Sequence, residues 1–196
     1  YGPLPIDGVA IDPAIVAVGR RYFGMTMENL DVHTTDGRTF LATTDRRYSI
    51  AAVDAYRLPY IPWHLTTVEF FTQVRDHLRE DGVVAINVGH TPGDWRLVDA
   101  MAATMAQVYP SVHVIDVAES LNALVVATMQ PTEPENLAAN LDRLADPRLR
   151  AVGARAAANL RSPEPGDRIF TDDRAPVEQL THALALRYVL GLDRGE

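Results

Sequence analysis

The stretch Tyr48-Ser-Ile-Ala-Ala-Val-Asp-Ala-Tyr-Arg-Leu-Pro-Tyr-Ile-Pro-Trp-His-Leu-Thr-Thr-Val-Glu-Phe-Phe71 carries an apolar run straight into a carboxylate and then into a loop rich in proline and aromatics. Ile50, Ala51, Ala52 and Val53 form the continuous apolar run expected of a buried parallel strand. Asp54 stands at its carboxyl end, where open α/β sheets bind their ligands. Tyr56, Tyr60, Trp63 and His64 follow closely and are candidates for the wall of a binding pocket, or for core packing at a helix entry. Aspartate is also a favoured turn residue, so the residues alone leave Asp54 as site or turn.

Outward from this stretch, strand and helix signals alternate. Gly8 to Pro13 reads as strand, turn and helix start; Asp12 can cap a helix that Pro13 opens and Gly24 closes, with Ile15, Val16, Val18, Tyr22 and Phe23 as its apolar positions. A strand over 30–34, the Asp36-Gly37 turn and a short helix over 38–43 come next. Downstream, Thr66 or Thr67 starts a helix to about Arg79, and Asp81-Gly82 turns the chain into a strand over 83–88. Asp94 starts a helix to about Tyr109 that Pro110 ends. Strands 111–117 and 123–129 are joined by a connection short enough for a hairpin but not for a parallel crossover. Helices over 133–144, 147–161 and 176–190 complete the chain. The alternation predicts an α/β fold.

Composition narrows the function. The 196 residues carry a formal charge of −8, which argues against a phosphate-backbone binder and favours cationic substrates, although it is also the charge an ordinary domain uses to stay dispersed. All 18 basic residues are arginine, which excludes a Schiff-base or P-loop lysine. Absence of cysteine excludes thiolate chemistry and disulfides, and the six histidines lack the spacing of a metal helix, so no metal is expected. No stretch approaches the roughly 18 apolar residues of a membrane span.

Ile11-Asp12-Pro13, Asp36-Gly37, the Asp54 loop and Thr171-Asp172-Asp173-Arg174-Ala175-Pro176-Val177-Glu178 together resemble the spermidine synthase (polyamine aminopropyltransferase) family, in particular bacterial spermidine synthase-like domains. The likeness runs from about residue 6 to about residue 190. It implies a class I S-adenosylmethionine-dependent methyltransferase-like, Rossmann-like fold: a mostly parallel sheet with an antiparallel terminal hairpin. A single domain over 1–196 is expected, with a nucleoside-binding sheet over 1–130 and a helical part over 131–196. The family's first strand and Gly-rich loop have no counterpart after Tyr1, so an N-terminal truncation is expected. Cytoplasmic location, membrane attachment through upstream segments and a homodimer are further implications.

The implied chemistry is aminopropyl transfer from decarboxylated S-adenosylmethionine to a polyamine, releasing methylthioadenosine. Its acceptor amine must lose a proton, which calls for a carboxylate base. On the resemblance, Asp54 is that base, Asp36 with Gly37 serves the adenine side, and Asp12 is the carboxylate nearest the ribose; Tyr56, Tyr60, Trp63 and His64 line the acceptor pocket. Ala10 stands where the family commonly has an acidic residue, leaving Asp12 as ribose ligand or helix cap. Arg57 stands where a second aspartate would grip a diamine, and its guanidinium would repel one. Asp172, Asp173 and Glu178 can cap the last helix or face the site. Asp12, Asp36 and Asp54 are expected along one sheet edge. An S-adenosylmethionine-dependent methyltransferase and a non-catalytic nucleoside-binding or assembly module are the alternatives.

Overall fold

The structure, a computed structural model, describes residues 4–56, 60–164, 166 and 168–192. Its contacts divide the chain into two compact units, 1–46 and 47–196.

In the first unit, strands β1 (Ile6–Ala10) and β2 (Leu30–Thr34) pair in parallel, Ile6 opposite Leu30 and Ala10 opposite Thr34. Helix α1 (Pro13–Tyr22) connects them. Asp12 caps it, its Oδ1 accepting the Ala14 N–H at 2.8 Å, and Pro13 occupies the first turn, where its missing N–H costs nothing. Arg20 and Arg21 complement the dipole of the last turn, and Gly24, at φ +63°, turns the chain away. The apolar positions assigned to this helix are not core: it buries no residue, and Ile15, Val18, Tyr22 and Phe23 are exposed. Two strands offer too little surface to cover them. Helix α2 (Gly37–Thr43) is capped by Asp36 and buries Phe40, whose ring lies 4.7 Å from that of His33.

The second unit holds a five-stranded mixed sheet in the order β3-β4-β6-β5-β7. Strand β3 (Tyr48–Val53) pairs in parallel with β4 (Leu78–Gly89); β4 pairs antiparallel with β6 (Asn122–Thr128), β6 with β5 (Ser111–Asp116), and β5 with β7 (Leu160–Arg161). The expected hairpin is thus present as β5–β6, with Glu119 at φ 61° in its turn. Val84, Ile86 and Val88 alternate onto one face of the sheet, and with Ala123, Val125 and Val114 they are buried. Helices α3 (Val68–Asp76) and α4 (Arg96–Met105) complete this core with Phe71, Val74, Val98, Met101 and Met105. Helices α5 (Pro134–Leu141), α6 (Pro147–Ala158) and α7 (Val177–Val189) follow.

Several expectations are corrected. β3 is not buried along its length: Ile50 is 70 % exposed, because among the described residues β3 pairs with β4 alone and forms an edge. Helix α3 stops at Asp76 rather than near Arg79, since Leu78 already pairs with Tyr48. Asp81-Gly82 lies within β4, in an irregularity where β3 advances from Tyr48 to Ile50 while β4 advances from Leu78 to Val83. Asp94 precedes α4, which begins at Arg96 and ends at Met105. The end of the expected helix 147–161 is strand β7, held by its pairing with β5. Among the described residues no helix is long and apolar enough to cross a membrane.

Candidate active site

Asp54 lies exposed just beyond β3, and β4 supplies its partner. Val53 pairs with Ile86, which brings the next β4 residue, Asn87, alongside: its Nδ2 donates to Asp54 Oδ1 at 3.1 Å. Asn87 Oδ1 is buried without a hydrogen-bond donor. Turning the amide over would set that oxygen against the Asp54 carboxylate, so the carboxylate selects the amide's orientation. Tyr56 closes the arrangement by donating its hydroxyl to the Asn87 carbonyl at 3.0 Å. Burial first, and the charge of Asp54 second, push the Tyr56 phenol up to about 12, against a smaller lowering by the Gly89 backbone. Tyr56 is therefore a neutral phenol at physiological pH. Among the described residues Asp54 Oδ2 makes no hydrogen bond, so one carboxylate oxygen is positioned and the other is available to a proton donor.

Tyr56 also lines a pocket of about 230 Å³ formed with Ile61, Gly89, His90, Thr91 and the α7 residues Leu184 and Tyr188. Tyr60 secures this wall: its hydroxyl meets His182 Nε2 on α7, with the two rings edge to face at 5.0 Å. Trp63 and His64 sit in a single 3-10 turn, Trp63–Leu65, edge to face with one another at 5.8 Å. Of the four aromatic candidates, Tyr56 is the one linked through Asn87 to Asp54. Arg57 lies outside the described residues.

In the first unit Asp12 and Asp36 both follow parallel strands, and both cap helices. Asp36 Oδ1 accepts the N–H groups of Arg38 at 2.9 Å and Thr39 at 3.3 Å, and Gly37 opens α2. A charge cluster in this unit was missed: Asp7, its side chain buried, receives both Arg46 Nη1 contacts at 2.8 and 2.9 Å and meets His33 Nε2 at 2.7 Å. With Asp31 these groups have the spacing of metal ligands, but Arg46 supplies the positive charge and makes the cluster a tie between β1, β2 and the chain after α2.

The 171–178 motif does structural work at α3. Thr67, the α3 N-cap, accepts the Phe70 N–H at 3.2 Å and donates to Asp172 Oδ1 at 2.7 Å, while Glu69 accepts the Asp172 N–H at 3.0 Å. Asp173 is not the cap of the last helix: that position is Pro176, which has no side-chain cap bond.

The family described as "Spermine/spermidine synthase domain" matches residues 4–137, which includes both strand-end aspartates of the first unit and the whole Asp54–Asn87 pair. The chain belongs to the spermine/spermidine synthase family. It is 31 % identical over 203 residues to a probable polyamine aminopropyl transferase of Bifidobacterium longum (strain NCC 2705), covering 94 % of this chain and 45 % of that protein. It is 28 % identical over 142 residues to a polyamine aminopropyltransferase of Vibrio vulnificus (strain CMCP6), covering 70 % and 46 %. The chain thus spans about half the length of these curated relatives. Among solved structures, a probable spermidine synthase from Corynebacterium glutamicum ATCC 13032 matches with a TM-score of 0.60 at 20 % identity, over 76 % of this chain and 61 % of that one. Human methyltransferase-like protein 13, solved with SAH, matches at 0.58 and 23 %, over 86 % and 77 %. A spermidine synthase in complex with the transition-state analogue AdoDATO matches at 0.57 and 14 %, over 96 % and 61 %. These likenesses show the fold: a Rossmann-like α/β fold shared by spermidine synthases and class I methyltransferases.

Beside the Asp54–Asn87 pair stands a column that sequence reasoning missed. His90 is buried, its Nδ1 3.1 Å from the Thr91 carbonyl and its Nε2 3.3 Å from Asp116 Oδ1. Trp95 stacks on its ring at 3.8 Å, Arg161 covers Trp95 at 4.3 Å, and Arg161 donates to Asp99 at 3.0 Å. Hydrogen bonds from the Arg96 guanidinium hold the buried Asp94 carboxyl below its usual range, with smaller help from the Arg96 backbone and the Arg187 charge, against an opposing burial effect. Asn87 had a visible signal, an amide interrupting the apolar run Val83–Val88. The pairing of His90 with Asp116 and the α7 wall had none, because those partners are distant in sequence.

Proposed function

We propose that this chain belongs to an aminopropyltransferase, with Asp54 as the base. Decarboxylated S-adenosylmethionine is the donor. The lone pair of a neutral primary amine forms a C–N bond to the methylene carbon next to the sulfonium; the C–S bond breaks, its electrons neutralise sulfur, and methylthioadenosine leaves. The surplus proton on the new secondary ammonium passes to Asp54. What carries this reading is the Asp54 carboxylate beyond the end of β3, one oxygen held by Asn87 and the other open. Family membership supports it.

On this reading Asp36 and Gly37 serve the adenine and Asp12 the ribose, supported by their places at the ends of β2 and β1. Asp36→Asn keeps the helix cap, since asparagine caps as well as aspartate. It is expected to weaken methylthioadenosine binding by calorimetry without lowering thermal stability. Cytoplasmic location and a homodimer belong to the same reading and are supported by family membership.

The test is methylthioadenosine release by the full-length protein given decarboxylated S-adenosylmethionine and a panel of primary amines. Asp54→Asn should reduce turnover roughly 10²–10⁴-fold while leaving nucleoside affinity intact, because the amide keeps the shape but accepts no proton. An undiminished rate removes Asp54 from the mechanism. Formation of S-adenosylhomocysteine from S-adenosylmethionine, with no methylthioadenosine from any amine, would establish a methyltransferase instead.

A further inference from the structure

We infer that α7 is a lid, a rigid helix that pivots at its first turn and closes over the pocket beside Tyr56. The inference concerns the helix and the pocket and holds whichever reaction Asp54 serves. The pivot is fixed. Phe170, just before α7, is buried, its N–H donating to Thr104 Oγ1 at 2.9 Å and its carbonyl accepting the Val68 N–H at 2.9 Å. Val177 and Leu180, in the first turn of α7, are also buried, whereas every residue from Ala185 to Leu190 is exposed. Between these ends, Thr181, Leu184, Ala185 and Tyr188 recur at spacings of three and four, which sets them on one face of the helix. That face lines the pocket of about 230 Å³, which it shares with the buried Ile61 and Leu97. Protein interiors close-pack, so a helix belonging wholly to the core would fill the space beneath it. Here the space is left, and its rim is open where Leu121 and Tyr188 are exposed.

Beyond the pivot the helix is tied down by side chains. Tyr60 meets His182 Nε2 through its hydroxyl, and Arg187 Nε lies 3.7 Å from Asp94 Oδ2. Breaking these ties strands no buried charge. The buried Asp94 carboxylate also accepts from Arg96 Nε at 2.9 Å and so keeps a partner, while the Arg187 guanidinium, nearly half exposed already, passes to water. The Tyr60 hydroxyl and the exposed His182 ring exchange one hydrogen bond for others to water. A partly exposed ion pair or a single hydrogen bond favours one position by about 2- to 10-fold, so the closed form predominates without being locked. Opening admits a small molecule to the pocket, and closing shields it from water.

The experiment needs no turnover. Residues 1–196 contain no cysteine, so within this chain spin labels attach at introduced sites alone. In the full-length protein, pulsed dipolar spectroscopy measures the distance from a label at Gln107→Cys to one at Leu186→Cys, and in a second preparation to one at Val189→Cys; all three positions are exposed. Both pairs are expected to show a predominant and a minor distance in the same proportion, because a rigid helix moves as one. Adding Tyr60→Phe and Arg187→Met should raise the minor population at least about 5-fold in both pairs. A single, unchanged distance in both pairs with the ties removed overturns the inference. A second distance at Val189 with none at Leu186 also overturns it, since that is fraying of the last turn.

Discussion

Asn87 makes the Asp54 carboxylate a positioned group rather than a loose surface charge. A hydrogen bond to an ionised acceptor contributes about 1.5–3 kcal/mol. Asn87→Leu should therefore lower kcat for methylthioadenosine release roughly 10- to 100-fold, with methylthioadenosine affinity unchanged; equal losses in both would assign Asn87 a purely structural role. Thr67 acts at the same scale, joining the α3 cap to Asp172. Thr67→Val removes the cap and its bond to Asp172, and a loss of about 1–2 kcal/mol in urea unfolding is expected. Asp36 reads in the sequence only as part of an Asp-Gly turn, and its capping of α2 came from the structure, but the cap of α1 was legible in the sequence, because Asp12 satisfies an N–H within three residues of itself. Thr67's second partner, 105 residues away, was not.

At the level of elements, β4 departs most from its expected form. A turn at Asp81-Gly82 was read from local chemistry, yet the strand runs through it, and Met129 donates to the Gly82 carbonyl at 3.0 Å. A Cβ at Gly82 would lie 2.9 Å from both the Arg79 carbonyl oxygen and Leu78 Cβ, too close without a shift of the backbone. Gly82→Ala should cost about 1–3 kcal/mol by denaturant unfolding, the range of an overpacked site; a neutral result would show that the irregularity relaxes freely. The hairpin β5–β6 was legible because its short connection excludes a parallel crossover. β7 was hidden inside a helical pattern, and its two residues are strand through pairing with Val114 and Ile115.

For the molecule as a whole, stability should fall at both ends of the pH scale for different reasons. The Tyr56 phenol is raised from 10.0 to about 12 in the fold, so its contribution is fully present below pH 10 and is lost as pH rises toward 12. Tyr109, pushed up by burial, adds in the same direction. Asp94 is held below 3.8, so its contribution is present above that value and is lost as pH falls through the depressed value. Unfolding free energies measured from pH 10 to 12 should decline less steeply in Tyr56→Phe, and Asp94→Asn should flatten the decline below pH 4. Identical slopes in variant and unaltered protein would remove these groups as the cause.

The sequence by itself determined the order of strands β1 to β6 and of the helices, the capped start of α1, the terminal hairpin, the family and the carboxylate at the end of β3. Each rests on residues close together along the chain: a cap reaches two or three residues, and an apolar run or a short connection declares its element locally. Tertiary structure alone decided that Asn87 would hold Asp54, that Tyr60 would meet His182, that His90 would face Asp116 and that Ile50 would lie exposed on an edge. Those contacts depend on strand register and on which helix covers which end of the sheet, and a register is set by the packing of the whole face rather than by any segment of it.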